Sequence, residues 1–207
     1  MSALEELDLK RIQVLTVATF AVAMTLLIFE IKTPLWLSSK EFQTYFFQHL
    51  LSDLFIYIIG FITLGIFWIG SHYHHNILLK TDRISSWLNI AFLMITCTIS
   101  LCISLIRNYK EQKLSLIFYC VILIIASCIN LVMISYVWKK KHTKEYYTVS
   151  HFNNARLIIL IPVFICTASI FICLLSQKIS LWISLLPLLL HIFPENAVNQ
   201  LINRSTK

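Results

Sequence analysis

Long apolar runs separated by short polar stretches leave this 207-residue chain little choice of environment. They cover roughly 12–31, 50–72, 84–106, 114–138, 155–175 and 179–195. A helix needs about 20 such residues to cross the hydrocarbon core of a bilayer, and the first five runs reach that length. The sixth is shorter, is interrupted by Pro187 and holds His191. With 58% hydrophobic and 13% charged residues, the chain has too little polar surface to clothe a water-soluble core. The expectation is an all-α membrane protein: one transmembrane domain over residues 1–207, with six helices and no soluble domain. The first run is too long to be a removable signal peptide, and it has no small-residue cleavage site.

Lys and Arg set the orientation of such a bundle. Of the 17, 11 fall on the side of the N-terminus and 6 on the other, and the stretch "KKKHTKE" (139–145) dominates the bias. Both termini are therefore expected in the cytoplasm. The net charge of +7 is accounted for by residues flanking apolar runs, where positive charge fixes topology and meets anionic headgroups. Nucleic acid is not an expected partner; membrane lipid is. The six cysteines lie inside the apolar runs without a CxxC pair, a pattern that suits small core- or lipid-facing residues and neither a disulfide framework nor a metal site.

The first run is not a plain anchor. It carries Thr16, Thr19 and Thr25, and Leu15, Ala18, Val22, Thr25 and Phe29 recur at alternating spacings of three and four, which keeps them on one helix face. Repeated in several identical subunits, that face would converge on an axis. Val22, Leu26 and Phe29 would then form apolar constrictions that gate by dewetting, and Thr25 a ring of oxygens able to replace part of an ion's hydration shell. Threonines in membrane helices also bond back to their own backbone and mark close packing, so the pattern alone leaves both readings open.

By topology the start of the first helix shares its depth with "WIGSHYHH" (68–75) and "SSWLN" (85–89). Arg11, Thr16, Trp68, His72 and Asn89 are candidate members of one polar bundle there. His72 and His75 share a face, but no carboxylate or thiolate stands at matching spacing, so no metal site is expected. Glu30 and Asp53 lie at the opposite boundary, where each could reach water as a solvated helix end; Glu30 could also lend a pore mouth a negative field. No HExxH, GxSxG or glycine-rich phosphate loop is present, and nothing supports an enzyme.

"FAVAMTLLIFEI" (20–31), "GFITLGIFWIGSHYHH" (60–75) and "RISSWLNIAFLM" (83–94) resemble the bacterial branch of the transmembrane protein 175 family of lysosomal potassium channels. The resemblance covers roughly the first hundred residues; the later runs match in hydropathy and number. It implies a homotetramer of six-helix subunits in a bacterial inner membrane. The first helix of each would line a passive, cofactor-free path for potassium ions, with a proton leak allowed. It places the constriction on Val22, Leu26 and Phe29 and the potassium preference on Thr25. One departure stands out: the family follows the helix 1 arginine with Phe-Ser-Asp, whereas Arg11 here is followed by Leu15-Thr16-Val17. Loss of that carboxylate leaves a second class of function open, a non-conducting membrane adaptor that keeps the channel fold.

Overall fold

A computed structural model describes residues 3–36, 38–109, 111–144 and 147–175. Helix α1 spans Ala3–Leu26 and closes in a 3-10 turn, Leu27–Glu30. A short helix α2, Ser39–Tyr45, passes through a π-helical turn, Phe46–Leu50, directly into α3, Leu51–Ile77. Helices α4 (Arg83–Asn108), α5 (Lys113–Lys139) and α6 (Val149–Leu175) complete the bundle. Five of these segments are long and apolar enough to cross a membrane. The expected sixth run, 179–195, lies outside the described residues.

The second run differs from its expected limits, since helix continues without a break from Ser39 to Ile77. The cause is local. Ser38 caps α2: its hydroxyl accepts from the Glu41 N–H at 3.4 Å, and the Glu41 carboxylate accepts from the Ser38 N–H at 2.9 Å. This reciprocal capping box starts a helix in a stretch too polar to register as a span.

Helix α4 is the hub, packing on α1, α3 and α5, while α6 packs on α5. Its buried positions Ser85, Asn89, Phe92, Thr96, Ile99, Ile103 and Arg107 keep the three-and-four rhythm of a packed helix, polar at both ends and apolar between them except for Thr96. Phe92 meets Phe20 of α1 (centroids 6.2 Å) and Phe67 of α3 (6.0 Å). Gly60 lets α3 approach α4 closely, since a Cβ there would stand 2.7 Å from Ile103 Cγ1. In lipid the hydrophobic effect does not drive helices together; close packing and interhelical hydrogen bonds do. One such bond lies in the core. Thr63 donates its hydroxyl proton to the Ile59 carbonyl (2.8 Å), so Tyr119 of α5 donates to the Thr63 oxygen at 2.9 Å.

Candidate functional site

Helix α1 has two unlike halves. Thr16, Phe20, Ala23 and Leu27 are buried against α3 and α4. The other half is uncovered among the described residues: Val22 is 56% exposed, Leu26 52% and Phe29 77%, and Thr25 lies among them. The three candidate constriction residues and the candidate selectivity residue therefore share the free side of the helix. Thr25 donates to the Ala21 and Val22 carbonyls (both 2.9 Å) and Thr19 to Leu15 (2.8 Å), the local bonding that lets a hydroxyl sit in lipid.

The polar residues of the basic end separate into an inner and an outer set. Thr16 is the inner member on α1. It donates to the Ile12 carbonyl (2.9 Å) and accepts from Asn89 Nδ2 (3.0 Å), tying α1 to α4. Trp68 and His72 stack on each other at the surface (5.9 Å), and Arg11 is also exposed. None of these three takes part in the Thr16–Asn89 bond. Val17, where the family has its carboxylate, is 49% exposed.

The histidines that go inside are His74 and His75. His75 Nδ1 lies 2.7 Å from the Ser71 carbonyl, whereas neither nitrogen of His74 has a partner among the described residues. Ser71, His72, His74 and His75 crowd one stretch of α3, so spacing alone does not indicate which histidine turns inward.

The loop after α3 is held by Asp82. It caps α4 by accepting from the Ser85 N–H at 2.8 Å, and it accepts the hydroxyl of Tyr136 on α5. Burial alone would raise the Asp82 carboxyl. The bonds from Tyr136 and Ser85, with the charges of His142 and Lys140, outweigh it and hold the group below its ordinary value. The same loop pairs with the basic loop after α5, through Leu79 N–H to His142 (2.7 Å) and Lys144 N–H to Ile77 (3.0 Å). Tyr147, just beyond, has its phenol pushed up by burial and by neighbouring Tyr73.

At the opposite end stands a cluster whose centre has no counterpart among the sequence candidates. Arg107 of α4 is buried, with Nη2 3.5 Å from Glu30 and Nη1 4.0 Å from Asp53. Ser104 donates to the same Glu30 oxygen at 2.6 Å. Glu30 and Asp53 thus share a buried cation, which brings the ends of α1, α3 and α4 together and offsets the negative field of Glu30. A buried arginine with two carboxylates is held by the charges it joins, since stripping either partner leaves an uncompensated charge. The signal was available: topology puts Glu30, Asp53 and Arg107 at one boundary.

A bundle of membrane-length helices, stitched by polar contacts at both ends and, among the described residues, leaving one half of α1 uncovered, is a multi-span integral membrane protein. Residues 11–100 match the family model described as endosomal/lysosomal potassium channel TMEM175. This stretch holds most of α1, all of α2 and α3, and the first two thirds of α4. No curated protein matches the chain. Among solved structures, the crystal structure of a lysosomal potassium-selective channel TMEM175 homologue from Chamaesiphon minutus is similar, with a TM-score of 0.74 over 89% of this chain and 96% of that one. At 17% identity that likeness is one of fold. The resemblance to the TMEM175 family seen in the sequence is borne out.

Proposed function

We propose that the chain is one subunit of a potassium-permeable channel, a homotetramer in which α1 of each copy faces a common axis. The observation that carries this reading is the two-sided character of α1 within the stretch that matches the family: one half is packed, and the other, with Val22, Thr25, Leu26 and Phe29, is free. Around an axis, the three apolar side chains narrow the path and resist wetting. Thr25 supplies oxygens. Its back-bond uses the hydroxyl proton and leaves lone-pair density on the oxygen, which is what a partly dehydrated cation needs. Conduction is passive, a proton leak is compatible with it, and neither enzymatic chemistry nor a cofactor belongs to the reading. The charge bias puts the basic end and both termini in the cytoplasm, in keeping with a bacterial inner membrane.

One observation favours the alternative of a non-conducting adaptor: Val17, half exposed, stands where the family carries aspartate. The mass of the purified protein in mild detergent, by light scattering, tests the assembly on which conduction depends. Four copies of the 24.1 kDa chain are expected. A monomer would leave the free half of α1 facing lipid and would contradict the channel.

A further inference from the structure

At the basic end, α5 and α6 leave an open groove of about 520 Å³ between them. Leu131, Val132, Trp138 and Phe152 line it, and Lys139 and Arg156 stand with them. We propose that this groove holds an anionic phospholipid, with its phosphate between Lys139 and Arg156 and the upper part of an acyl chain along Leu131 and Val132. The proposal is independent of whether the bundle conducts.

The shape and chemistry of the groove argue for this occupant. From Lys139 back to Leu131, α5 rises about 12 Å at the helical repeat, so the apolar lining runs from the interface into hydrocarbon depth. Val132 is 51% exposed, which leaves an aliphatic surface for a chain. At the mouth, Trp138 and Phe152 stack with centroids 5.0 Å apart and planes 11° apart, a rigid aromatic wall at the level where Trp anchors at membrane interfaces. The Arg156 guanidinium lies 5.4 Å from the Phe152 ring centroid. Resting on a ring face restrains a guanidinium while its in-plane N–H groups stay free to donate to phosphate oxygens.

Charge decides between lipids. Lys139 and Arg156 are exposed, neither has an ion pair among the described residues, and no acidic residue lines the groove among them. The Tyr136 hydroxyl, also in the lining, is committed to Asp82. Lys140 and Lys141 follow directly and add to the positive field. A zwitterionic headgroup would bring its own cation into this field, and a soluble phosphate would make no use of the apolar lining. An anionic phospholipid fits both parts.

Fluorescence quenching in vesicles tests the assignment. Full-length protein in phosphatidylcholine vesicles is titrated with phosphatidylglycerol brominated on its acyl chains, and the Trp138 signal is read as the difference from Trp138→Phe. Quenching is expected at mole fractions at least tenfold lower than brominated phosphatidylcholine requires. Lys139→Gln with Arg156→Gln should raise the midpoint at least tenfold while helix content and elution volume stay unchanged. Either substitution alone should give an intermediate midpoint, which keeps the test decisive if the double variant fails to fold. Lys80→Gln, at the basic end but outside the groove, should leave the midpoint where it was. Equal quenching by the two brominated lipids would overturn the proposal, as would a wild-type midpoint in the variants. Displacement of the lipid by millimolar inorganic phosphate would also overturn it, in favour of a simple anion site.

Discussion

Thr25 and Thr16 show how the same side chain can serve two ends in one helix. Thr25 lies on the free half of α1, exposed and with its proton returned to the backbone, so its packing contribution is small. Replacing it with valine, nearly the same shape, exchanges an oxygen for a methyl. Thr25→Val should lower the potassium-to-sodium permeability ratio from reversal potentials while the melting temperature in detergent moves little. Thr16 is buried and accepts from Asn89, whose own Oδ1 already has no partner among the described residues. Thr16→Val takes away the acceptor for Asn89 Nδ2 as well. Interhelical hydrogen bonds of this kind are worth about 0.5–2 kcal/mol in membranes. A loss of about 1 kcal/mol of stability is expected, measured by unfolding in mixed micelles, and Asn89→Leu should remove most of the penalty by eliminating the orphaned amide.

Between elements, two contacts carry the arrangement of α3, α4 and α5. At Gly60 α3 packs closely on α4, and an added Cβ would meet the branched Ile103 side chain at 2.7 Å. Gly60→Ala should therefore destabilise by about 1–3 kcal/mol, the range for overpacking, and most of that cost should vanish in an Ile103→Ala background. Asp82 links the α3–α4 loop to α5, and its carboxyl is held below the ordinary value of 3.8 in the folded chain. A depressed acid stabilises above the unfolded pKa and loses that contribution as pH falls through the folded one. Wild type should thus lose stability as pH drops below about 4, in melts recorded from pH 6 downward. Asp82→Asn should start lower at pH 6 and show a flatter acid limb. An identical acid limb in the variant would remove Asp82 from this role.

The elements themselves were legible because the bilayer dictates them: a run of the right length in the right solvent must be a helix. Five expected runs find five membrane-length helices, with the first residues of the Ser39–Ile77 segment added by a cap that Ser38 and Glu41 encode in plain view. What the periodicity could not supply was rotation. In α1 the heptad face and the free half coincide, although threonines and small residues lie on both sides of the helix. In α3, where Ser71, His72, His74 and His75 crowd one stretch, spacing put His72 and His75 together but could not say that His74 and His75 turn inward while His72 stacks on Trp68 outside. The Glu30–Arg107–Asp53 cluster was hidden for another reason: its members come from three helices far apart in sequence, and only their shared boundary links them.

At the scale of the whole molecule, the subunit is firm on one side and open on the other. The core of α1, α3, α4 and α5 is cross-linked by polar contacts at both ends and by Tyr119 with Thr63 in the middle, while half of α1 has nothing to pack on among the described residues. The central claim is that copies of that half close around an ion path. Potassium flux measured in liposomes loaded with potassium, with no ionophore for that ion present, tests it most directly, comparing wild type with Val22→Ala/Phe29→Ala. Wild type should release potassium above protein-free liposomes, and the double variant should release it several-fold faster, because widening an apolar constriction makes it easier to wet. No flux from either protein at any voltage, with both correctly folded and incorporated, would contradict the channel and leave the adaptor.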